Sequence, residues 1–590
     1  MSIELVVTAV VVLLTLLALV REWAAPALVI TTAMVLLLVS GVIDAGEALA
    51  GFANQAPITV AALFVIARAV ERTGALRPLL ELAMRPDGSE RGNLVRLLVP
   101  SAAASAFMNN TPIVAMLVGP VSSSAERQGQ SPSKYLMPLS FAVLLGGITT
   151  LIGTSTNLVV SGLMQQGGLA PIGMFEMTWI GLPLAVLGII TMVLLAPRLL
   201  PVRRGLKERF SAEFREFTIE MMVEAGGAVD GRSVADAGLR HLQGVFLAWI
   251  RRDDRLITPI GPDDTLQAGD RLGFVGGVDQ VMDLQAMRGL RVAAHKHVRG
   301  LDAGEHRFVE VVLAAISPLV GKTLKQADFR EQYQATVLAI HRSGERVAGK
   351  LGEVALKPGD TLLLLADSGF VARWRDRRDF LVVLELDGAL PVSTGKSWFV
   401  LTVAMAMIGL AAFDVVPILQ GSLVAALLMV VGKVLTPNEA RTAVDLDVLL
   451  LIAASFGIGT AIETSGLASL VAGWIVTPAM HIGPVAVLAA IVLATVVVTE
   501  LITNNAAAVL LFPIAVAAAK QSGADPRSFG IAIAIAASAS FLTPIGYQTN
   551  TMVYGPGGYR FSDYIRLGLP LTVIIYIGLV GLTALQWSLS

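Results

Sequence analysis

Apolar stretches of membrane-spanning length recur along this chain, and short polar segments separate them. A helix needs about 20 apolar residues to cross the hydrocarbon core of a bilayer. Such runs lie at about 3–20, 25–44, 56–72, 134–151 and 174–197, and again at about 397–414, 418–435, 446–464, 528–542 and 567–588. The pattern predicts an α-helical polytopic membrane protein with five spans in each half, embedded in a lipid bilayer.

Two further apolar stretches, at about 93–120 and 484–519, are interrupted in the middle by asparagines. Each is too polar at its centre for a plain span. Irregular backbone at membrane depth is tolerated only where protein or a wet cavity surrounds it. We therefore predict a re-entrant helical hairpin at each position, so that each half contains five spans and one hairpin.

The polar interruptions form a repeat. Asn109-Asn110-Thr111-Pro112 is followed by Gly153-Thr154-Ser155-Thr156-Asn157, and Thr503-Asn504-Asn505 is followed by Gly546-Tyr547-Gln548-Thr549-Asn550. Equivalent positions are 393 or 394 residues apart. Matching polar breaks in two hydrophobic halves are typical of the binding site of a secondary transporter.

Loop charge predicts the orientation of the two halves. The segments 73–92 and 198–209 contain several Arg or Lys residues, whereas the loops at 45–55 and 165–173 contain none. Basic loops face the cytoplasm, so the N-terminus is predicted outside and the loop after the fifth span inside. Because five is odd, the halves would be inverted repeats around a midplane site. The first hairpin would then open from the cytoplasm and the second from the outside.

The insert between the halves, residues 205–395, differs in character, with more charge and the alternation of β-strands. It also repeats, because Gly269-Asp270 matches Gly359-Asp360 at an offset of 90 residues. We predict two small cytoplasmic α/β modules. The predicted domains are membrane repeat 1 at 1–204, modules at 210–290 and 300–380, and membrane repeat 2 at 396–590.

Composition narrows the class of protein. Of 590 residues, 55% are hydrophobic and only 15% are charged, with a mean hydropathy of +0.71, whereas soluble proteins carry about 25% charged residues. Residues 3–20 lack a basic leader and a cleavage site, so we predict a retained span rather than a signal peptide. The absence of Cys excludes disulfides and thiol catalysis. These features predict a multi-pass plasma-membrane (inner-membrane) protein that is not an enzyme and has no nucleic-acid partner.

The polar breaks suit small ions. A helix that breaks inside the bilayer leaves unpaired N–H groups at one new end and unpaired C=O groups at the other. The first end favours an anion and the second a cation. Asn, Thr and Ser oxygens suit sodium, a hard cation, and Lys and Arg are scarce in the predicted core. A structural role in joining helices is the alternative for any one residue, but the duplicated clusters favour a site.

Carboxylates and histidines need separate interpretation. Glu500 lies one helical turn before Asn504, and a charge at membrane depth indicates function. Support of the hairpin tip and direct ion binding are equally compatible with that position. Glu71 and Glu463 end predicted spans, where an interfacial position is more common. The His-x-His motif at 295–297 lacks the further ligands of a metal site.

These motifs resemble those of the divalent anion:sodium symporters, a family of the ion transporter superfamily. The two tips resemble that family's paired Ser-Asn-Thr signatures, and the motifs at 153–157 and 546–550 resemble its following loops. The segment 543–559 is similar to the sulfate-transporter-like branch. The insert resembles two TrkA-C domains, the C-terminal modules of regulators of potassium conductance.

The resemblance implies a set of residues for each ligand. The first sodium site would use Ser105, Asn109, Asn110 and Gly153, and the second would use Thr499, Thr503, Asn504 and Gly546. The substrate would be bound by Asn110, Thr111, Thr154, Asn504, Asn505 and Tyr547. Supporting residues would be Glu500, Asn157 and Asn550. The resemblance also implies a homodimer and an elevator-type motion of the hairpin-bearing domain.

Departures from the dicarboxylate pattern bear on the substrate. Asn109 stands where that pattern has Ser, Asn505 stands where it has Thr, and Thr156 and Tyr547-Gln548-Thr549 replace a Thr-Pro-Pro run. These changes favour sulfate or another small oxyanion over dicarboxylates.

We therefore predict sodium-coupled symport of a small divalent anion, with sodium co-transported. The cytosolic modules would regulate transport, with a small regulatory ligand as their expected effector. No Gly-x-Gly-x-x-Gly follows a strand, so no organic cofactor is expected. Two alternatives stay open. One is an ion exporter or a cation/proton antiporter in which Glu500 carries protons, and the other is a channel gated by the modules.

Overall fold

The computed structural model describes three consecutive regions: a first membrane half, an insert of β-sheets and a second membrane half. The described residues are 2–21, 23–75, 89–203, 218–239, 242, 245–253, 255–276, 289–292, 306–314, 317–342, 345–347, 351–374, 377, 379–385, 395–479, 481–544 and 546–589. The basic segments at 76–88 and 204–217 and the His-x-His motif at 295–297 lie outside the described residues.

The first half is helical. Its helices are α1 (Ile3–Val20), α2 (Pro26–Val39), α3 (Ala45–Leu49), α4 (Gln55–Thr73), α5 (Glu90–Ser105), α6 (Asn110–Arg127), α7 (Leu136–Gly147), α8 (Ser155–Gln166) and α9 (Thr178–Leu199). Ser2, Asn54 and Ser89 accept hydrogen bonds from first-turn N–H groups and so fix the starts of α1, α4 and α5. Helix α4 ends at Gly74, whose φ of 61° is left-handed.

The second half is also helical. Its helices are α12 (Ser397–Ala412), α13 (Ile418–Val431), α14 (Pro437–Ala443), α15 (Leu446–Thr464), α16 (Leu467–Ala479), α17 (Pro484–Leu501), α18 (Asn504–Gln521), α19 (Pro526–Ser538), α20 (Gln548–Tyr554) and α21 (Phe561–Gln586). Thr436 and Glu439 form a capping box at α14, and Asp445 and Asp525 cap α15 and α19.

Most predicted spans are confirmed as apolar helices. Among the described residues, six helical stretches are long and apolar enough to cross a bilayer: Ile3–Val20, Ala45–Thr73, Thr178–Leu199, Leu446–Thr464, Pro484–Leu501 and Phe561–Gln586. Helices α2, α12 and α13 are apolar but shorter, with 14, 16 and 14 residues.

At each position of a predicted hairpin the structure has two consecutive helices joined by a tight turn. Helices α5 and α6 contact each other across residues 106–109, and α17 and α18 do so across 502–503. Their arms of 16 to 18 residues are about 24 to 27 Å long at 1.5 Å per residue. The arm α17 is also one of the helices long and apolar enough to cross a bilayer.

Two predicted spans are wrong as single helices. The run at 134–151 contains the 12-residue α7 and stops before α8, and the run at 528–542 contains the 13-residue α19 and stops before α20. Helix α7 is only about 18 Å long. The motifs at 153–157 and 546–550 therefore lie where an interrupted helix starts again.

The second half also contains a helix that the pattern did not predict. Helix α16 lies between α15 and the hairpin, is apolar and has 13 residues. It packs against α18. The prediction of five spans and one hairpin therefore omits one helix of the second half.

Helices of the first half pack against helices of the second half. Helix α2 packs on α15 while α4 packs on α13, and α6 packs on α20 while α8 packs on α18. Helix α9 packs against its counterpart α21. Reciprocal contacts of this kind are what a twofold relation between two similar units produces. One large core cluster contains residues of both halves, with α7 buried along its full length.

The insert contains two five-stranded antiparallel sheets. The strands are β1 (Thr218–Val223), β2 (Val245–Arg252), β3 (Arg255–Ile257), β4 (Arg271–Gly276), β5 (Leu290–Val292), β6 (His306–Leu313), β7 (Ala335–Arg342), β8 (Glu345–Arg346), β9 (Thr361–Asp367) and β10 (Phe380–Glu385). Short helices α10 (Phe329–Tyr333) and α11 (Phe370–Trp374) lie in the second module. The sheet orders, β3-β2-β4-β1-β5 and β8-β7-β9-β6-β10, are equivalent.

Residues that lie 90 positions apart in the two modules make equivalent contacts. An ion pair joins Arg252 to Asp270 at 2.8 Å in the first module, and the equivalent pair joins Arg342 to Asp360 at 2.7 Å in the second. Both aspartates are buried. The two sheets contact each other through Trp249 of the first module and buried leucines of the second.

The second module also contacts the membrane region. Strand β10 packs against α6. Val312 of β6 belongs to the same core cluster as the membrane helices. Thr361, at the start of β9, contacts Gly555 so closely that a Cβ on Gly555 would lie 3.4 Å from the Thr361 Cβ. This module therefore touches both α6 and the segment that follows α20.

Candidate functional site

The polar motifs of the two halves meet at one place. Asn110, the first residue of α6, donates through Nδ2 to the Tyr547 hydroxyl at 2.7 Å. The Thr154 hydroxyl lies 3.2 Å from the same oxygen. Tyr547 and Thr154 occupy equivalent positions in the two halves, 393 residues apart. The hydroxyl of Tyr547 thus lies within hydrogen-bond distance of the residue at the equivalent position of the first half.

A second set of bonds joins the second tip to the restart of α8. Asn505 Oδ1 accepts from the Thr156 hydroxyl at 2.8 Å, and Asn505 Nδ2 donates to Ser155 Oγ at 3.2 Å. Asn504 Nδ2 donates to Thr156 Oγ1 at 2.5 Å. The structure therefore brings both asparagines of the second tip against the first half.

The hydrogen bond at the equivalent positions of the first tip and the second restart is longer. Thr111 donates to Gln548 Oε1 at 3.3 Å, in the place where Asn505 and Ser155 bond in the other half. All six predicted substrate residues thus lie at this junction: Asn110, Thr111, Thr154, Asn504, Asn505 and Tyr547.

Four helices begin at the junction without side-chain caps. Their N-cap residues are Asn109 for α6, Thr154 for α8, Thr503 for α18 and Tyr547 for α20, and none makes a side-chain cap hydrogen bond. Helices α4 and α15 are capped by side chains, whereas α2, α7, α9, α12, α13 and α17 also lack such caps. Uncapped first-turn N–H groups and the positive ends of helix dipoles favour an anion.

An oxygen cluster adjoins Gly153 in the first half. A Cβ placed on Gly153 would lie 2.5 Å from the Gly147 carbonyl oxygen and 2.8 Å from that of Ser105. The Ser105 hydroxyl donates to Asn110 Oδ1 at 2.5 Å. Only glycine permits this close backbone approach. Carbonyl and amide oxygens of this kind suit a hard cation such as sodium.

The second half has a related cluster at Gly546. A Cβ placed there would lie 3.0 Å from the Thr499 carbonyl oxygen and 3.1 Å from Glu500 Oε2. Glu500, predicted as support or as an ion ligand, lies here, and its Oε1 accepts from the N–H groups of Phe541 and Leu542.

Two buried asparagines hold the helix interruptions in the same way in both halves. Asn157 Nδ2 donates to the carbonyls of Gly147 and Thr150, at 3.0 and 2.8 Å. Asn550 Nδ2 donates to the two equivalent carbonyls, at 3.0 and 3.2 Å. These amides satisfy backbone groups that would otherwise lack partners inside the membrane, as expected for supporting residues.

The hairpin arms that carry the tips are anchored by hydroxyl contacts at equivalent positions of the two halves. The Ser105 hydroxyl oxygen also lies 2.7 Å from the Val143 carbonyl oxygen, and the Thr499 hydroxyl donates to the Ala537 carbonyl at 2.6 Å. Each hydroxyl thus ties a hairpin arm to the neighbouring interrupted helix, which places the oxygens of each cluster.

Asn109 faces a different environment from Asn110. It lies at the edge of a cavity of about 360 Å³ whose lining is almost entirely apolar and comes from α4, α5 and α12. Ser155 reaches the same cavity from the site. The junction therefore borders an apolar space between the first hairpin and the helices α4 and α12.

Sequence reasoning missed several members of the site. Gln548 and Ser155 lie inside the recognised motifs. Ser140 donates to Asn550 Oδ1 at 2.8 Å, and Ser540 adjoins Gly546. These two serines lie in apolar runs, where no sequence signal distinguishes them from the helix-joining serines common in membranes.

The charge of the junction is low. Among the hydrogen bonds of the described residues, none joins a Lys or an Arg to either tip or to either helix restart. Glu500 is the acidic residue that borders the clusters described above. An anion at this junction would therefore be attracted by helix ends and neutral donors rather than by a cationic side chain.

Comparison with known proteins agrees with a transporter. The sequence profile of the citrate transporter family, CitMHS, matches residues 9–528. A Chlamydomonas reinhardtii protein named "Putative sulfur deprivation response regulator" is 37% identical over 568 residues, covering 94% of this chain and 97% of that protein. An uncharacterised transporter of Synechocystis is 35% identical, covering 92% and 90% of the two chains.

Proteins that are less similar to this chain include named transporters. Sodium/sulfate cotransporter 1 of Chlamydomonas reinhardtii is 24% identical, covering 96% of this chain and 88% of that protein. The solved structure of the YdaH transporter of Alcanivorax borkumensis superposes with a TM-score of 0.44 at 12% identity, covering 92% and 89% of the two chains. The chain is a membrane transporter, not an enzyme, and belongs to the citrate transporter family CitMHS.

Proposed function

We propose that this protein is a sodium-coupled symporter of a small divalent anion, with sulfate ahead of dicarboxylates. The observation that carries the proposal is the convergence of four uncapped helix N-termini beside two oxygen clusters. The N-termini supply donors for an anion, and the clusters supply acceptors for cations. The Chlamydomonas sodium/sulfate cotransporters, related over most of their length, support sulfate and sodium.

The proposed residues are those that the family resemblance implies. The anion would lie among Asn110, Thr111, Thr154, Asn504, Asn505 and Tyr547. Sodium would bind at Ser105, Asn109, Asn110 and Gly153 in the first half, and at Thr499, Thr503, Asn504 and Gly546 in the second. Two cations beside a divalent anion leave little net charge, so no cationic side chain is needed in the site.

Uptake into proteoliposomes tests this function. Labelled sulfate, succinate and citrate are compared with inward sodium, potassium and proton gradients. We expect sulfate uptake that requires sodium. Failure of all three anions to move under every gradient would refute the proposal.

Two substitutions test the residues. Asn110→Ala and Asn504→Ala each remove an amide that links the two halves and should abolish uptake while the protein still inserts. Asn93→Ala is the matched control, since Asn93 is another buried asparagine of the first hairpin but lies in the arm far from the tip. Wild-type uptake in both tip variants would contradict the site assignment.

We propose an elevator-type movement of the hairpins and interrupted helices against the remaining helices, in a homodimer. The apolar cavity between the first hairpin and α4 lies at this boundary. Phe64 and Ala104 line it from the two sides. A bifunctional reagent joining cysteines introduced at these two positions should stop uptake, and reduction of a cleavable reagent should restore it. Undiminished uptake after cross-linking would refute the movement.

We further propose that the insert is cytoplasmic and the N-terminus outside. The chain has no native Cys, so single cysteines report sidedness directly. Ser2 and Ser368 are exposed. A membrane-impermeant maleimide should label Ser2→Cys in intact cells, and Ser368→Cys only after permeabilisation. The reverse labelling would invert the topology.

The second module is proposed to regulate transport through its contacts with α6 and with the end of α20. These two helices begin at Asn110 and Gln548 in the site, so the module touches the far ends of helices that form it. Val312→Asp should detach the module and alter the maximal rate of uptake. Met222→Asp is the control, because Met222 is the equivalent position of the first module, 90 residues earlier. Equal rates in both variants and the wild type would argue against regulation by this contact.

A further inference from the structure

An apolar cavity separates the first hairpin from two helices of the membrane region. It has a volume of about 360 Å³ and is lined mainly by α4, α5 and α12. Among the described residues that line it, none is charged, and Asn109 and Ser155 are the polar ones. An apolar cavity of about 150 Å³ already stays dry and takes up small apolar molecules. The larger cavity of this protein therefore suits an apolar occupant rather than water.

The second hairpin is packed differently at the corresponding place. Met108 lines the cavity beside the first tip, and its counterpart 394 residues later is Ile502. Ile502 is 5% exposed and belongs to a packed apolar cluster with residues of α1, α2, α15 and α16. The protein's own side chains thus cover the second tip. An apolar molecule in the cavity would provide the same packing for the first tip.

The cavity has the length of one acyl chain. Its lining residues on α4 run from Val60 to Val70, which corresponds to about 15 Å along a helix that rises 1.5 Å per residue. On α5 they run from Pro100 to Met108. The hydrocarbon core of a bilayer is about 30 Å thick, so the chains of one leaflet span about 15 Å. An elongated apolar space of this length fits a hydrocarbon chain better than a compact molecule.

The wall formed by α12 connects the cavity with the outer surface of the membrane region. Met405 lines the cavity and is 63% exposed. Leu410, on the same helix, is 43% exposed. Exposed apolar side chains on the helices of a membrane protein face the acyl chains of lipids. A lipid beside Met405 can therefore place a chain in the cavity without passing through water.

We propose that one acyl chain of a membrane phospholipid occupies this cavity, between α5 on one side and α4 and α12 on the other. The apolar lining, the length and the position beside the lipid-facing Met405 all fit such a chain. The chain packs against Phe107 and Met108 of the first tip. The proposal concerns the packing of the first hairpin and does not depend on which anion or cation is transported.

Photolabelling of the full-length chain in proteoliposomes tests the proposal. The probe is a phosphatidylcholine that carries a diazirine near the end of one acyl chain, and mass spectrometry of peptides identifies the labelled residues. We expect label on Ile66 of α4 and Met407 of α12, which line the cavity and are buried. Leu410, which faces lipid, should be labelled as well. Label confined to exposed residues such as Leu410 would overturn the proposal.

Two variants fill the cavity from different walls. Ala104→Phe on α5 and Ala404→Phe on α12 each place an aromatic ring in it. Both should abolish the label on Ile66 and retain the label on Leu410, which shows that the variant is inserted in the bilayer. Ala406→Phe is the matched control, because Ala406 is exposed on the same helix and does not line the cavity; it should leave the label on Ile66 unchanged. Undiminished label on Ile66 in both filled variants would contradict the proposal.

A water-filled path to the junction is the competing explanation of the cavity. Ala67 lines it and is 4% exposed. In permeabilised membranes, a charged maleimide should modify Ser368→Cys, which is exposed, and leave Ala67→Cys unmodified. Equal rates of modification would show that the cavity contains water, and the proposal would then be wrong. None of these measurements uses sodium or a transported anion, so failure here leaves the proposed symport unaffected.

Discussion

The contact between the second module and the membrane region should depend on pH through Glu310. This residue of β6 is only 3% exposed. The next residue on the same face of the strand, Val312, packs into the membrane core cluster. Burial, and secondarily the negative charge of Glu126 on α6, raise the pKa of Glu310 from 4.5 to about 8. The docked module therefore favours the protonated carboxyl.

The sign and size of the effect follow from linkage. A carboxyl exposed by undocking would regain a pKa near 4.5, so the docked state binds more protons between pH 4.5 and 8. The contribution to docking is full below the lower pKa and is lost as the pH rises through the upper one. At about 1.4 kcal/mol per pKa unit, the loss amounts to no more than about 5 kcal/mol.

Glu310→Gln keeps the shape of the side chain and removes its ionisation. We expect docking of this variant to persist at alkaline pH, where wild-type docking weakens. Glu220→Gln is the matched control. Glu220 occupies the equivalent position of the first module, 90 residues earlier, and is partly exposed.

Docking is measured by a cysteine pair in this otherwise cysteine-free chain. A Cβ at position 555 lies 3.4 Å from the Cβ of Thr361, close to the separation found in disulfides. The yield of oxidative cross-linking between Thr361→Cys and Gly555→Cys should fall between pH 6 and 9 when Glu310 is present, and it should stay constant in the Glu310→Gln background. Since thiol reactivity also changes with pH, the comparison is between chains at the same pH. Identical profiles with and without Glu310 would refute the reasoning.

Three further substitutions follow from the contacts of single residues. Tyr547→Phe should lower the free energy of unfolding by about 1 to 3 kcal/mol, because a buried asparagine amide loses its acceptor, and should reduce uptake; an unchanged unfolding temperature and uptake would contradict this. Gly153→Ala should abolish sodium-dependent uptake, since its Cβ would lie 2.5 Å from a carbonyl oxygen, whereas Gly409→Ala has no neighbour within 4 Å and should transport normally. Asp360→Asn breaks a buried ion pair and should destabilise the second module by roughly 2 to 3 kcal/mol, visible as faster amide exchange in β9; unchanged exchange would show that the pair contributes little.

Much of the site could be predicted because polar residues are rare inside apolar sequence. The tips at 109–112 and 503–505 are 394 residues apart, and the restarts at 153–157 and 546–550 are 393 residues apart. Duplicated polar residues at membrane depth need a common explanation, and the structure brings all four segments together. The repeat of the insert could also be predicted, because Gly269-Asp270 recurs as Gly359-Asp360 at an offset of 90 residues.

The interrupted helices could not be predicted from hydropathy. Residues 148–152 leave the helix after α7 yet are nearly as apolar as the helix itself. The Thr150 carbonyl is satisfied by Asn157, a tertiary contact that periodicity does not reveal. Ser540 is similar, since only the fold places it beside Glu500. The docking of the second module depends on Val312 and Glu310, which in sequence resemble any strand residues.

The bond between Asn110 and Tyr547 has a consequence for how the protein is made. Its two residues lie 437 positions apart. At a synthesis rate of about 5 to 20 residues per second, the first tip waits roughly 20 to 90 s after translation for its partner. During that interval its amide and the open helix ends need temporary partners, such as water, lipid headgroups or the insertion machinery. Nascent chains arrested before residue 540 should therefore be targets for membrane quality control.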